Sequence, residues 1–297
     1  MDIAAEITQR AAAIEEKIKP FMPKVEGLQK TVLDAMEYSV FAGGKRLRPM
    51  LMEASFQMFG GRSEEIYPFM AAMEMVHTYS LVHDDLPAMD NDEYRRGKKT
   101  THAVYGEAMA ILTGDALLNY AYETVAAALS HNPGDEKLVK AFLVFAKKAG
   151  IHGMIGGQVV DVESEKKAQQ VDQKKLDFIY RLKTSALIES SLMIGAILAG
   201  ATDQEVSLME EAGTRLGLAF QIQDDILDVT STLEVLGKPI GSDGRNEKST
   251  YVTFEGIEKA RADVERLSEE AVSILEHCRG ENTFLKELFL FLIDRKK

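Results

Sequence analysis

Residues 73–90 read MEMVHTYSLVHDDLPAMD, and this stretch sets the class of fold. Met73 to Val82 is apolar with no two-residue alternation, so it reads as a core helix rather than a strand. It runs directly into Asp84-Asp85-Leu86-Pro87-Ala88-Met89-Asp90, followed by Asn91-Asp92. Like charges at the carboxyl end of a core helix are doubly unfavourable, because the helix dipole already disfavours anions there. A divalent cation reverses that cost. Hard oxygen ligands suit Mg²⁺, which keeps several waters and shares its shell with substrate phosphates. Taken alone, the motif is equally well read as a solvated acidic turn.

A second cluster removes much of that ambiguity. Asp224-Asp225-Ile226-Leu227-Asp228 follows Leu216, Leu218, Ala219, Phe220 and Ile222, so acids again crown an apolar helix. Asp224 and Asp228 are four apart, hence one turn from each other on one helical face. Two such clusters would together hold a group of Mg²⁺ ions on one diphosphate.

Helical periodicity extends along the whole chain. Val25 to Phe41 places Val25, Leu28, Val32, Met36 and Val40 at steps of three and four, with Gly43-Gly44 as the stop. Comparable patterns cover Glu64–Val82, Glu107–Leu129, Leu138–Ala149, Leu176–Leu198, Glu205–Leu227 and Ile257–Leu275, and Thr202-Asp203 reads as a helix cap. No series of short alternating strands and no interdomain linker is apparent. The expectation is an all-α protein, one domain over residues 1–297, with about ten main helices.

Composition narrows the function. A net charge of −12 argues against nucleic acid or an anionic membrane surface as partner. The most apolar run, Ser190 to Ala201, is far short of the ~20 residues of a membrane span and reads as a buried helix. Cys278 is the only cysteine, so no internal disulfide forms, and the amino terminus lacks a secretory pattern. A cytoplasmic setting follows as the expectation.

An acidic protein that handles phosphate must gather its cations locally. Gly43-Gly44-Lys45-Arg46-Leu47-Arg48-Pro49 puts three at a loop entering a helix, where free N–H groups also favour anions. His77 lies seven residues before Asp84, on the same helical face, and Arg95-Arg96 follows the first acidic motif after a chain reversal. Each of these alone is more simply a solvated loop or a satisfied core histidine. Lys183-Thr184 sits in an apolar run, where a free ammonium is costly unless it meets an anion. Gln221 stands before Asp224, Lys238 is in a glycine loop, Lys248 follows, and Gln158 and Asp161 near a helix end admit a structural reading.

Taken in order, these motifs resemble the trans-prenyl diphosphate synthases, and among them most nearly the bacterial farnesyl diphosphate synthases. The resemblance covers nearly the whole chain. It implies an all-α homodimer of isoprenoid synthase type, with helices around a central cavity and the acidic motifs at its mouth. Asp84 and Asp90 then correspond to ligands of Mg²⁺, three ions in all with Mn²⁺ as a substitute, with Asp85 beside them. Asp224 corresponds to the second ligand, with Asp225 and Asp228 supporting through water. Lys45, Arg48, His77 and Arg96 resemble the isopentenyl diphosphate set. Arg95, Lys183, Thr184, Gln221, Lys238 and Lys248 resemble the residues around the allylic diphosphate, dimethylallyl or geranyl. Asp84, Asp85, Lys183, Thr184, Gln221 and Asp224 are the expected catalytic group, and the tail Arg295-Lys296-Lys297 either closes over the site or frays.

Product length turns on Tyr79. Helix geometry places Ser80 one turn below Asp84, with Tyr79 beside it at ~7.5 Å depth along the axis. A ring acting as a floor there gives a fifteen-carbon product, farnesyl diphosphate; a ring packed on another helix leaves geranylgeranyl diphosphate as the alternative. A class I terpene cyclase fits less well, since it needs one diphosphate site and Gly43 to Pro49 supplies a second. A non-catalytic binding subunit also fits less well, since both acidic motifs are intact.

Overall fold

The computed structural model describes residues 2–166, 172–230 and 250–293. The all-α expectation holds: fourteen α-helices carry most of the described residues, and their only sheet is a ribbon of β1 (Tyr94–Arg95) and β2 (Lys98–Lys99). Contacts group these residues into two compact units.

The first unit comprises the described residues up to Glu53 together with Arg62–Phe142. It contains α1 (Ile3–Ile18), α2 (Lys30–Val40), the first part of α3 (Leu47–Met58), α4 (Tyr67–Asp84), α5 (Thr101–Tyr105), α6 (Glu107–His131) and the start of α7 (Glu136–Ala149). Helix α4 opens with a proline in its first turn and is buried on every side; Phe69, Met70, Ala72, Met73 and Val76 have no exposed surface. It packs chiefly on α6. Helix α2 starts later than the periodicity implies. Gly27 turns at φ 83°, which no continuing helix can use, and leaves Val25 and Leu28 exposed ahead of it.

The second unit comprises Ala54–Gly61 and the described residues from Leu143 onward. It holds α8 (Met154–Lys166), α9 (Gln173–Ile179), a π-helical turn (Tyr180–Ser185), α10 (Ala186–Leu198), α11 (Asp203–Thr230), α12 (Tyr251–Glu255), α13 (Ile257–Glu276) and α14 (Thr283–Ile293). Helix α11 is the spine, packing against α10, α13 and the π turn. Its start is a capping box: the Glu205 amide donates to Thr202 Oγ1 at 3.3 Å, and the Thr202 amide donates to Glu205 Oε2 at 2.8 Å. All residues of α10 are buried, as the apolar run beginning at Ser190 implied. Its one charge, Glu189, is met by Lys148 Nζ and by Thr214 Oγ1. No helix among the described residues is long and apolar enough to cross a membrane.

Candidate active site

In the first unit, α4 stops at Asp84, and the chain folds back on its own end. The Asp85 amide donates to Leu81 O (3.0 Å), and the Asp90 amide donates to Asp84 O (2.9 Å). The four residues between the acids thus form a clasp that returns Asp90 to the helix terminus. Asp84 is half-buried, Asp90 exposed and Asp85 buried. Asp85 is engaged within the protein: Arg95 donates to it from Nε (2.8 Å) and Nη2 (2.6 Å). Burial pushes the Asp85 carboxyl up even with that guanidinium beside it.

The two adjacent arginines separate because of a tight hairpin. Arg96 and Gly97 connect β1 to β2 at φ 53° and 76°, the left-handed pair of a two-residue loop that matches strand twist. Arg95 turns to Asp85, while Arg96 donates to Gly43 O of the basic loop. That approach needs Gly44, since a Cβ there would lie 2.4 Å from Arg96 Nη1. Among the described residues, the non-glycine residues with positive φ are Arg46, Asn91 and Arg96, all in or beside this half-site.

The basic loop divides its labour in a way its spelling hides. Arg46 turns inward, pairing with Glu15 (2.7 Å) and Glu74 (2.6 Å), so it is a structural cation. Arg48 keeps a buried Nε with no hydrogen-bond partner. Its pKa is lowered to about 10 by burial first, with Glu74 opposing and Arg96 assisting. His77, on α4, is held well below its ordinary value by burial and then by Arg48, Arg96, Arg95 and Arg46, so it is neutral at pH 7. Desolvated cations with unmet charge are a site for an anion. Lys45 is exposed at the loop's edge.

Ser80 shares the face of His77 and Asp84 and donates to His77 O at 2.8 Å. Tyr79 lies on the neighbouring stripe. Its ring meets His83 edge-on at 5.9 Å, and His83 Nε2 lies 3.1 Å from Ile111 O on α6. The Tyr79 hydroxyl is buried without a hydrogen-bond partner, and burial pushes its pKa up.

In the second unit, the π turn presents Lys183 and Thr184. Such a turn inserts an extra residue and is closed here by Ser185 Oγ donating to Tyr180 O, five positions back. Gly157 on α8 lets this backbone approach, because a Cβ there would sit 2.3 Å from Lys183 N. Lys183 Nζ reaches Asp161 at 2.5 Å, the anion its apolar surroundings required. Thr184 Oγ1 donates to Gln221 Oε1 at 2.8 Å. One turn on, Asp224 is half-buried, while Asp225 and Asp228 are buried. Asp225 Oδ2 accepts from Tyr180 Oη (2.5 Å) and from the Tyr251 amide (2.8 Å), tying α11 to the π turn and to the start of α12.

Among the described residues, no three His, Cys, Asp or Glu side chains converge into a ready-made metal cage. Magnesium uses one or two carboxylates plus water and phosphate, so the clasp of Asp84 with Asp90, and separately Asp224, have the donor chemistry to hold it. Lys238, Lys248 and the tail Arg295-Lys296-Lys297 lie outside the described residues. Sequence reading passed over Glu74, Tyr180 and Tyr251. For Glu74 a signal existed, since an acid inside a core helix must have a partner. The tyrosines gave none, because their partner Asp225 is distant in sequence from Tyr180.

A helical fold with two acid-tipped core helices, one beside a cation cluster, has the donor chemistry of a class that handles phosphate-bearing substrates. The chain belongs to the polyprenyl synthetase family, whose model matches residues 29–284. It is 44% identical to geranylgeranyl diphosphate synthase of Cyanophora paradoxa, over 97% of this chain and 94% of that protein. It is 42% identical to the chloroplastic geranylgeranyl pyrophosphate synthase of Capsicum annuum, over 91% and 72%. An FPP/GFPP synthase from Zymomonas mobilis superposes with a TM-score of 0.87 at 30% identity, covering 98% of this chain and 99% of that one. The protein is a prenyltransferase of isoprenyl diphosphates.

Proposed function

We propose that this chain condenses isopentenyl diphosphate with an allylic diphosphate and extends the product to twenty carbons, geranylgeranyl diphosphate. The observation that carries the two-substrate reading is a cation set made of Arg48, whose buried Nε has no hydrogen-bond partner, with Arg96 and the exposed Lys45 beside it. A cyclase, with one diphosphate to hold, has no use for it. Magnesium held by Asp84 with Asp90, and separately by Asp224, would offset the charge of the departing diphosphate. Lys183 adds a cation there once Asp161 yields it, and the Thr184 and Gln221 oxygens turn their dipoles to the carbon that becomes positive. Arg48 and Arg96 fix the attacking substrate, and the departing diphosphate takes the proton that is lost.

The fifteen-carbon product expected from the sequence turns on one ring, Tyr79. The twenty-carbon reading is supported by similarity along nearly the whole chain to proteins named geranylgeranyl diphosphate synthases. It is also supported by Tyr79 sharing the stripe of His83, which abuts α6, while the small Ser80 lies beneath Asp84. Farnesyl diphosphate remains the second reading, carried by the burial of that same ring next to Ser80. We read the assembly as a homodimer, supported by exposed Val104, Ile111 and Leu112 on α5 and α6.

Product analysis decides between them. With isopentenyl diphosphate and dimethylallyl, geranyl or farnesyl diphosphate, the twenty-carbon product is expected from all three primers, and farnesyl diphosphate alone stays unchanged. Accumulation of fifteen carbons, lengthened by Tyr79→Ala, would establish the second reading instead.

A further inference from the structure

Glu74 is a carboxylate placed where α4 is otherwise core, 3% exposed among Met73, Met75 and Ala71. Its Oε1 accepts from Arg46 Nη1 at 2.6 Å. The Arg46 side chain is wholly buried and reaches a second acid, Glu15 on α1, through Nε at 2.9 Å. Arg46 also holds φ at 50°, a conformation an L side chain keeps only when its surroundings impose it. The pair therefore pins the basic loop to two helices at the residue directly between Lys45 and Leu47.

The neighbours of this pin give it a further meaning. Glu74 is three residues before His77, on the same side of α4. Its charge acts on Arg48 and on Arg96, opposing the burial that lowers both. The groups that act on Arg48 are Glu74 from α4 and Arg96 from the hairpin, and His77 of α4 feels its charge in turn. One buried acid is thus the shared counter-charge of three guanidinium groups, and of these Arg46 alone is hydrogen-bonded to it in the pairs found here.

We propose that Glu74, acting through Arg46 and Glu15, is a positioning residue for the diphosphate of the attacking substrate. It holds the cation loop in its binding shape before an anion arrives, while leaving the charge of Arg48 and Arg96 to be completed by that anion. A neutral residue at 74 would let the loop and the Arg96 hairpin spread apart under mutual repulsion. This rests on the reading of Arg48 and Arg96 as the isopentenyl diphosphate site.

Steady-state kinetics on the full-length protein tests it with Glu74→Gln, Glu15→Gln and Arg48→Ala, each checked for native helical content by circular dichroism. Glu74→Gln should raise KM for isopentenyl diphosphate about ten-fold, the scale of one charged hydrogen bond, and leave KM for the allylic primer unmoved. Glu15→Gln, at a partly exposed acid, should move the same constant less and in the same direction. It carries the test if the first variant fails to fold. Both KM values shifting together, or only thermal stability falling, would mean a merely structural pair and overturn the proposal. If Arg48→Ala leaves KM for isopentenyl diphosphate unchanged, the site reading itself fails. If Arg48→Ala raises it and neither acid variant does, only the role of Glu74 fails.

Discussion

The two acidic helix ends look alike in sequence, yet their surroundings neutralise them in opposite ways. At the end of α4 the buried acid, Asp85, is met by a full charge, the Arg95 guanidinium. At the end of α11 the buried acid, Asp225, is met by neutral donors, the Tyr180 hydroxyl and the Tyr251 amide. The cations differ too. Arg48 keeps a buried donor unmet, whereas Lys183 is already held by Asp161. Among the described residues, the first half therefore keeps a buried guanidinium donor unmet, while the lysine of the second half is already paired. The contrast suits the proposed division, in which one diphosphate meets guanidinium groups directly and the other meets a metal cation.

The strongest way to break the comparison is to remove the acids assigned to metal. Asp84→Ala and Asp224→Ala should each lower kcat by at least ~10²-fold, the scale of lost charge stabilisation at a leaving group. Excess chelator should abolish turnover of the wild type, measured as diphosphate release. Activity that survives the chelator would remove the metal from both halves.

The neutral donors around Asp225 offer a finer test. Tyr180→Phe deletes one hydrogen bond to a buried carboxylate while keeping the ring. A loss of ~1.5–3 kcal/mol in stability is expected, read from denaturant midpoints, because a bond to a charged group is lost. The kcat should fall less than in Asp224→Ala, since Asp225 is buried against Tyr180 and the Tyr251 amide. Equal losses in the two variants would put Asp225 and Asp224 in one role.

The smallest effect expected is none. Burial and four neighbouring arginines hold His77 well below its ordinary value, so its protonation is not expected to show as an inflection near pH 6.5. The KM for isopentenyl diphosphate should be flat between pH 6 and pH 8 from this source. Arg48, whose pKa burial lowers to about 10, stays charged across the same window and adds no inflection there. An inflection near pH 6.5 that disappears in His77→Gln would show a charged imidazole and sharpen the cation count upward.

Much of this was readable before any coordinates. Local patterns, the steps of three and four, the Thr202 cap and the apolar block from Ser190, dictate helices because each residue needs only its neighbours along the chain. The acid-tipped core helices were likewise legible, since charge at the end of an apolar run is costly wherever the run packs. What the tertiary structure alone decided was which charges are spoken for. Arg46 and Arg48 are two residues apart and spelled alike, but one is paired to Glu15 and Glu74 and the other is not. Asp224 and Asp225 are adjacent, but one turns to Tyr180 and Tyr251. Those assignments depend on partners tens of residues away, and on a π turn that shifts Lys183 by a residue. Sequence spacing carries no record of either, because long-range pairing is set by packing and not by the order of residues.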